Sequence, residues 1–371
     1  MKILWICGSS IVGGAERVCI QILELLSKSS HSIAALLRRE SPVVEEIQNF
    51  AHPIYHASLK GSLDIGSFVA ITRSVRAFRP DVILVTTPDE WVWAALVPRG
   101  IIKVPLVFTR QMTLRLSAGV RWLADQRATA VIAGSEAIRM ALLGRAGVRA
   151  QLIHVVHNPV RLRVCDKVPD AEERIVNREA LGLGRDGRWI GFFGGNDPQK
   201  GIGDLLDAAR RVRSTGTDLR LLICGRIDLR KSKTVPDWLL EFGLSELAHY
   251  HPNVPDVAAA MRSVEAVIVA TRSSLGEGLP LTALEALACG TPVIGYATPG
   301  LVEALGDVGI VAKPDDSADL ARAIAALLSD ARQASEIGAA GLIRARDNFD
   351  PMRAALEYER ILAAAVESAS H

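Results

Sequence analysis

The sequence predicts an α/β protein built from two doubly wound domains, each with a parallel sheet. The chain has 371 residues and is 49% hydrophobic, enough to bury a large core and more than one average domain needs. Short β-branched runs alternate with segments of helical periodicity, as in parallel α/β proteins. A charged stretch with two prolines and three glycines, residues 158–188, interrupts this alternation near the middle.

The elements follow in order from local patterns. In the first half, apolar runs predict strands at 3–7, 81–85, 106–109, 130–133 and 152–156. The first helix shows apolar residues at i, i+3, i+4 and i+7 from Ala15. In the second half, the predicted strands are 189–193, 219–224, 266–270, 292–295 and 309–311. The domains predicted from this pattern are 1–165, a linker at 166–188, 189–345, and a last helix, 346–371, that packs back toward the first domain.

Composition excludes several classes of protein. The net charge of +2 argues against nucleic acid as a partner, because phosphate-backbone binding needs a concentrated basic excess. The five cysteines form no C-x-x-C pair, so we expect neither zinc nor a disulfide framework, and a reducing cytoplasm fits. No run of about 18 apolar residues occurs. We therefore expect a cytoplasmic protein, with the inner face of the membrane as an alternative.

A glycine-rich loop follows the first strand in "CGSSIVGGAER". Gly8 and Gly13 have P-loop spacing, but Gly14 and Ala15 stand where a P-loop has lysine and serine or threonine. The loop is not G-x-G-x-x-G either, which argues against a NAD-dependent dehydrogenase. Ligands bind at the carboxyl ends of strands in such sheets, so two facing domains would form a ligand-binding cleft. A residue elsewhere in this cleft would then supply the positive charge that a P-loop takes from its lysine.

The second half contains a stronger candidate in "SSLGEGLPLTALEALACGTPVIG". Pro280 predicts a short helix that starts at about 278–280, and a helix N-terminus favours anions such as a diphosphate. Glu277 precedes this end and Glu285 follows eight positions later. Upstream, Lys200 opens a helix after a glycine-rich turn and could reach the same phosphates. Alternatively, Glu277 only favours the helix dipole, while Glu285 and Lys200 are solvated.

Together these segments resemble the family 4 retaining glycosyltransferases, which have the GT-B architecture of two Rossmann-like domains facing a central cleft. Glu277 and Glu285 have the family's spacing of two glutamates separated by seven residues, and "EALACGTPVIG" follows as in the family. "GGAERV", "VIAGSEAIRMALL" and "IHVVHNPV" resemble segments of its first half. The resemblance is strong over 189–330 and looser before it.

The resemblance implies a metal-independent hexosyltransferase of class EC 2.4 that retains anomeric configuration. Its co-substrate would be a nucleotide-diphosphate sugar, with UDP- or GDP-sugars expected, and no other cofactor or metal is implied. Glu277 would contact the donor sugar, Glu285 the ribose, and Lys200 the diphosphate, so Glu277 and Lys200 are the predicted catalytic residues. The other predicted donor-binding residues are Gly278, Leu279, Pro280, Leu281, Gly194, Gly195 and Asn196.

Two positions depart from the family pattern. Gly194-Gly195 stands where the family has Gly-Arg, so Arg226 and Arg272 are candidate replacements for the missing cation, or else ordinary solvated arginines. Arg110 and Gln111 stand where many members have a histidine near the donor sugar. Gln111 can hydrogen-bond a sugar hydroxyl but cannot shuttle a proton.

The first domain would bind the acceptor, a glycan or a lipid-linked or small molecule, in polysaccharide or glycoconjugate synthesis. Gly13 and Gly14 would let the backbone approach the sugar and acceptor, with Glu16 as an acceptor contact or a partner of the helix dipole. Basic and aromatic residues could meet an anionic membrane, although a solvated face with core tryptophans is the favoured interpretation. They are Arg73, Arg76, Arg79, Trp91, Trp93, Arg121, Trp122 and Arg127.

Two other functions stay open. A nucleotide-sugar epimerase on the same architecture would share the nucleotide site but use acid–base side chains in the cleft. A binding-only partner of another transferase would explain the missing arginine and histidine. The block "EGLPLTALEALACGTPVI" favours the transferase over the epimerase.

Overall fold

The structure is a computed structural model that describes residues 1–59, 64–97, 103–114, 116–228 and 231–370. It divides into two compact units. The first consists of Met1–Pro159 together with Asp350–His371, and the second is Val160–Phe349.

The first unit contains a parallel sheet of seven strands in the order β3-β2-β1-β4-β5-β6-β7. Its strands are β1 (Lys2–Cys7), β2 (Ser32–Arg38), β3 (Ala51–Ala57), β4 (Val82–Val85), β5 (Leu106–Arg110), β6 (Ala128–Ala133) and β7 (Ile153–Val155). Five of these correspond to predicted strands, whereas β2 and β3 were not predicted. The edge strand β3 contains Pro53 and exposes several of its residues, so its sequence lacks the apolar run of a central strand.

Helices cover both faces of this sheet, and the last helix of the chain is one of them. The helices are α1 (Gly14–Lys28), α2 (Val43–Ile47), α3 (Ile65–Phe78), α4 (Pro88–Leu96), α5 (Ala118–Arg127), α6 (Glu136–Ala141) and α15 (Pro351–Ser370). Helix α15 packs on α1 and on β4, β5 and β6. Its Tyr358 is buried, and Glu359 lies 2.9 Å from His31 Nε2.

The tryptophans of the first unit divide between core and surface. Trp91 and Trp93 are buried, and the ring of Trp91 stacks on Phe108 with centroids 4.8 Å apart. They are therefore core residues and not part of a membrane-facing surface. Trp122, by contrast, is 64% exposed.

The second unit contains a parallel sheet of six strands in the order β10-β9-β8-β11-β12-β13. Its strands are β8 (Arg188–Phe192), β9 (Leu219–Cys224), β10 (Ala248–His251), β11 (Ala266–Val269), β12 (Val293–Tyr296) and β13 (Ile310–Ala312). The helices are α7 (Ala171–Ala180), α8 (Ile202–Ser214), α9 (Val235–Phe242), α10 (Val257–Arg262), α11 (Leu281–Ala288), α12 (Pro299–Leu305), α13 (Ser317–Ser329) and α14 (Ala331–Asn348). Apolar cores fill both faces of the sheet.

The segment predicted as a linker, 166–188, differs from that expectation. It belongs to the second unit and contains α7, which begins where the Asp170 carboxylate accepts a hydrogen bond from the Glu173 N–H. Arg178 on this helix is buried and pairs with Glu265 at 2.7 Å. A buried ion pair anchors a helix to its domain, because separating the charges leaves one of them unpaired. The charged composition of this segment therefore reflects buried polar contacts.

Candidate functional site

The strand order of the second unit reverses between β8 and β11, and the segments that leave these strands come together there. The turn after β8, residues 193–201, lies beside the loop after β11, residues 270–280, and the Arg272 N–H donates to the Gln199 carbonyl at 2.9 Å. Open parallel sheets bind ligands at such a switch point, outside the carboxyl ends of the strands.

Lys200 and Glu277 meet at this point. The Lys200 ammonium forms an ion pair with Glu277 Oε1, and the Thr271 hydroxyl donates to Glu277 Oε2 at 2.8 Å. Lys200 and Glu277 keep 32% and 21% of their side-chain surfaces exposed, whereas Thr271 is buried. Glu277 Oε2 is thus held by a buried hydroxyl. Glu277 Oε1 is paired with an ammonium group that is partly exposed to solvent.

Two glycines allow the backbone of the turn after β8 to lie against the end of β11. A side chain at Gly194 would lie 2.5 Å from the Phe192 ring and 3.0 Å from the Lys200 Cβ. Gly201 has φ +83°, and a side chain there would overlap the Ala270 carbonyl oxygen. The glycine-rich turn therefore serves to bring Lys200 against the end of β11.

Helix α11 begins at Leu281, with Pro280 as its N-cap, slightly later than the predicted start at 278–280. Leu284 and Leu287 are buried against the sheet, and this fixes the orientation of the helix. Its first turn follows Glu277 by four residues, so the positive end of the helix dipole lies beside the Lys200–Glu277 pair. Glu285 lies one turn farther on and is half-buried.

Gly278 and Leu279 connect Glu277 to this helix. The Gly278 carbonyl packs so closely on α12 that any side chain at Gly300 would overlap it. Leu279 is buried in the core beneath α11. The loop that carries Glu277 is therefore fixed by packing on both sides.

Asn196, predicted to bind the donor, has a different environment. Its side chain is buried, with Nδ2 donating to the carbonyls of Asp228 and Lys233 at 3.0 and 2.9 Å. Its Oδ1 accepts from the Asp228 N–H at 2.7 Å. These bonds hold the loop after β9, and they leave the backbone as the part of Asn196 best suited to contact a ligand.

The two arginines considered as replacements for the missing cation differ. Arg272 is about half exposed, with Asp204 and Asp315 at 3.7 and 3.6 Å from its guanidinium. Arg226 is exposed, and its carbonyl lies 2.6 Å from the position that a Gly195 side chain would take. Arg226 is thus the better candidate, because it borders the glycine turn and Arg272 already faces two carboxylates.

The first unit has its own switch point, between β1 and β4, and a carboxylate occupies it. The Gly8 N–H donates to Glu90 Oε1 at 2.7 Å, and the Thr87 N–H donates to Glu90 Oε2 at 2.7 Å. Glu90 is only 2% exposed, and burial raises the pKa of its carboxyl to about 7 even though the hydrogen bonds from Thr87 and Gly8 lower it.

The rest of the glycine-rich loop is also capped by a carboxylate. Glu16 is buried, and its Oε2 accepts from the Gly13 N–H at 2.9 Å, while α1 begins at Gly14. Glu16 is thus a capping residue of α1. The side chain holds the loop in shape and partly neutralises the helix N-terminus.

Arg110 and Gln111 lie at the carboxyl end of β5. Arg110 is 7% exposed, its Nη2 donates to the Leu114 carbonyl at 2.7 Å, and burial lowers the pKa of its guanidinium to about 10. Both amide atoms of Gln111 are buried without a hydrogen-bond partner among the described residues. A side chain at Gly134 would lie 2.7 Å from Asn158 Oδ1 and would overlap the Gln111 amide. An unpaired buried amide is costly and marks a place where a polar ligand group would be stabilised.

Thr271 and Glu90 were not among the predicted site residues. Glu90 had a detectable signal, since Thr87 and Glu90 form a capping-box pattern directly after a strand. For Thr271, the only signal in the sequence was its position, two residues after β11.

Among the described residues, no group of three or more histidine, cysteine or acidic side chains is arranged to hold a metal ion. No helix in the described ranges has the length and apolar character to cross a bilayer.

Comparison with known sequences identifies the family. The family model for glycosyl transferases group 1 matches residues 157–343, and that for Glycosyltransferase Family 4 matches residues 12–164. A 2-deoxystreptamine glucosyltransferase of Streptomyces kanamyceticus is 28% identical over 70% of this chain and 65% of its own length. A phosphatidyl-myo-inositol mannosyltransferase of Mycobacterium leprae is 35% identical over 40% of each chain. A D-inositol 3-phosphate glycosyltransferase of Arthrobacter is 30% identical over 46% of this chain, which spans only 41% of that relative's length.

Solved structures share the fold. Anabaena Alr3699/HepE in complex with UDP matches with a TM-score of 0.84 at 22% identity, over 98% of this chain and 100% of its own. A sucrose-phosphate synthase of Thermosynechococcus elongatus matches with a TM-score of 0.77 at 20% identity, over the same shares. The predicted fold class, GT-B with two Rossmann-like α/β domains, is confirmed. Since the group 1 model matches half of its residues, the chain belongs to the group 1 glycosyltransferases.

Proposed function

We propose that this protein is a retaining, metal-independent hexosyltransferase that uses a nucleotide-diphosphate sugar as donor. The single observation that carries the proposal is the cluster of Lys200, Glu277 and Thr271 at the switch point of the second sheet, beside the N-terminus of α11. The proposed donors are UDP- or GDP-sugars. Two of the matched solved structures are complexes of Anabaena Alr3699/HepE with UDP and with UDP-glucose, which favours UDP for a first test.

The cluster suits the departure of a nucleoside diphosphate. As the bond between sugar and diphosphate breaks, the leaving oxygens gain negative charge and the sugar becomes cationic. Lys200 and the N-terminal turn of α11 are fixed positive groups at this edge, so they stabilise the transition state more than the ground state. We propose that this pair of groups, supported by Arg226, takes the role that a metal ion has in other transferases.

Glu277 and Glu285 would hold the sugar parts of the donor. A bound diphosphate competes for the Lys200 ammonium and thereby releases Glu277 Oε1 to accept from donor-sugar hydroxyls. Thr271 keeps the other oxygen in place during this exchange. Glu285, one turn into α11, would accept from the ribose hydroxyls. Hydrogen bonds to charged groups of this kind contribute about 1.5–3 kcal/mol each.

The backbone around these side chains would complete the donor site. Gly278, Leu279, Pro280 and Leu281 bring the start of α11 to the diphosphate, and the turn of Gly194, Gly195 and Asn196 lines the same edge. Only the backbone of Asn196 is assigned to the donor, since its amide is bonded to the loop after β9.

The first unit would bind the acceptor. The unpaired amide of Gln111 supports a contact with a sugar or acceptor hydroxyl. Arg110 would act mainly by shaping the loop that follows it, and Gly13, Gly14 and Glu16 by fixing the start of α1. The names of the relatives include a small aminocyclitol and a phosphatidylinositol as acceptors, so we propose a glycan, lipid-linked or small-molecule acceptor.

Membrane contact is a narrower proposal. Arg73, Arg76 and Arg79 are exposed on and just after α3, and Trp122 is exposed on α5. We propose that these four side chains provide any contact with an anionic bilayer. Liposome co-sedimentation with and without anionic lipid tests it, and equal recovery in both would remove it.

The experiment for the reaction uses isotope-labelled nucleotide sugars with a panel of acceptors. Transfer with release of nucleoside diphosphate, in the presence of EDTA, and with the donor's anomeric configuration in the product supports the proposal. Exchange at C2 without transfer indicates the epimerase, and binding without turnover indicates a binding-only partner. Glu277→Ala should bind nucleotide yet lose turnover. If it transfers sugar at the wild-type rate, the site assignment is wrong.

A further inference from the structure

The backbone segments that carry two cysteines far apart in the sequence come together in the second unit. Cys165 belongs to the segment that precedes α7, and Cys289 is the C-cap of α11. The Cys165 N–H donates to the Ala288 carbonyl at 2.8 Å, which brings the backbone of Cys165 against the residue that precedes Cys289. Cys165 is partly exposed and Cys289 is fully buried. A solute can therefore reach the side chain of Cys165, whereas that of Cys289 is shielded from solvent.

Arg262 holds this pair together. Its Nη1 donates to the Cys289 carbonyl at 2.7 Å and to the Lys167 carbonyl at 3.0 Å, so it ties the backbones on either side of the two sulfurs. Its Nε donates to Glu173 Oε1 at 2.5 Å, which fixes the guanidinium. The backbone segments that carry Cys165 and Cys289 are thus held together by several independent bonds.

This environment favours the thiolate of Cys165. The hydrogen bond from Cys289 lowers the pKa of the Cys165 thiol to about 6, with the charge of Arg262 in support and with burial and Glu173 opposing. The same hydrogen bond and burial raise the pKa of the Cys289 thiol. Thiolates stabilised by a neighbouring cation are the reactive cysteines of proteins.

We propose that Cys165 and Cys289 form a peroxide-sensitive thiol pair that closes to a reversible disulfide. The Cys165 thiolate attacks one oxygen of hydrogen peroxide, the O–O bond breaks, and hydroxide leaves, so Cys165 becomes a sulfenic acid. The Cys289 thiol then attacks the Cys165 sulfur, the S–O bond breaks, and the oxygen leaves as water with the Cys289 proton. Overall two thiols are oxidised and one peroxide is reduced to water.

The other three cysteines provide internal controls. Cys7, Cys19 and Cys224 are buried, and burial raises the pKa of each thiol, to about 11 for Cys19 and about 12 for Cys224. They should stay reduced under conditions that oxidise the pair. The sequence has no C-x-x-C pair, and a spacing of 124 residues gives no sign that Cys165 and Cys289 are neighbours.

The test treats the full chain with a small excess of hydrogen peroxide and maps its cysteines by mass spectrometry. We expect a single cross-linked peptide pair containing Cys165 and Cys289 that dithiothreitol reverses. Iodoacetamide should label Cys165 at least about tenfold faster than each of the three buried cysteines. In Cys289→Ser, which keeps a donor beside Cys165 but cannot form a disulfide, dimedone should trap a sulfenic acid at Cys165, and in Cys165→Ser no disulfide should form.

Two results would overturn the proposal. One is a wild-type chain whose Cys165 reacts with iodoacetamide no faster than Cys224. The other is peroxide oxidation that yields no Cys165–Cys289 peptide while both cysteines are recovered as free thiols. Neither readout uses sugar transfer, so the thiol pair and the proposed reaction stand or fall separately.

Discussion

The two units place different chemistry at the same point of the same topology. In each, the sheet order reverses beside the first strand of the unit, β1 or β8, and a glycine-rich turn follows that strand. In the first unit, the N–H groups of Gly8 and Gly13 are bonded to the carboxylates of Glu90 and Glu16. In the second unit, the turn delivers the Lys200 ammonium to Glu277 beside a helix N-terminus.

This difference explains the loop that has P-loop spacing without its lysine. N–H groups that already donate to carboxylates are a poor site for a phosphate, because a second anion would meet the first. The second unit has a cation at the corresponding place, and the proposed function assigns this cation to the diphosphate of the donor. The two units thus have an equivalent position in their topology, and a few side chains distinguish them.

The largest expected effect comes from removing the cation of the second unit. Lys200→Met should lower kcat by roughly 10²–10³, or about 2.7–4 kcal/mol, as for loss of a group that stabilises a developing anion. Steady-state transfer assays measure it. Lys28→Met, which removes the exposed Lys28–Glu24 ion pair, is the control. A Lys200→Met kcat within about twofold of wild type would refute the role given to this lysine.

The next effect concerns the carboxylate of the first unit. Because the folded state raises the Glu90 pKa from 4.5 to about 7, the folded state binds more protons than the unfolded one between these values. Glu90 therefore stabilises the fold fully below about pH 4.5, and this contribution, at most about 3 kcal/mol, is lost as pH rises to about 7. Glu90→Gln should flatten the dependence of unfolding free energy on pH, measured by urea titration.

A surface control completes that measurement. Glu24→Gln, on the exposed end of α1, should give the same profile as the wild type between pH 4.5 and 7. If Glu90→Gln also leaves the pH dependence of the unfolding free energy unchanged, the Glu90 carboxyl is ionised over this whole pH range. The two switch points then differ in their hydrogen-bond geometry and not in the protonation of Glu90.

Removing the second glutamate of the donor site should have an intermediate effect. Glu285→Ala should weaken nucleoside diphosphate binding by about 1.5–3 kcal/mol, or roughly 10- to 100-fold in Kd, because a carboxylate that accepts from ribose hydroxyls is lost. Isothermal titration calorimetry with UDP and GDP measures it. Glu336→Ala on α14 is the matched surface control. Unchanged affinity for both nucleotides would remove Glu285 from the donor site.

The smallest effect is expected at Gln111, where substitution should change stability and activity in opposite directions. Gln111→Leu removes a buried unpaired amide, so the unfolding free energy should stay the same or rise by up to about 1 kcal/mol. The transfer rate should nevertheless fall by roughly tenfold if the amide binds a sugar hydroxyl. Gln126→Leu, at an exposed position, is the control. A stable Gln111→Leu variant with full activity would leave the amide without a role.

Sequence could predict those parts of the fold and site that local patterns encode. Most central strands are apolar runs, and Lys200, Glu277 and Glu285 belong to compact motifs, so these could be found in advance. The central strand β2 is also an apolar run, and it was nevertheless missed. The strand β3 escaped because an edge strand need not be apolar, and β10 because all four of its residues are only half-buried. Both depend on a neighbouring strand for their conformation.

Side-chain partnerships across long separations could not be predicted. The Asn196 amide is bonded to residues 32 and 37 positions away, and the Gly8–Glu90 bond spans 82 positions. No periodicity encodes such pairs, because they arise only when the sheet brings strand ends together. The proximity of Cys165 and Cys289 could not be predicted for the same reason, since only the fold brings these distant residues together.

The return of the chain to its first unit has a consequence for protein engineering. Val160–Phe349 is one continuous segment, and its ends are joined by a hydrogen bond from the Val160 N–H to the Phe349 carbonyl at 2.9 Å. In topological terms, this segment is a domain inserted into another domain, with adjacent entry and exit points. We expect it to fold as a single excised fragment, whereas the first domain needs its last helix supplied separately or joined through a short linker in place of the insert. Truncation at the C-terminus therefore damages the fold at the opposite end of the sequence.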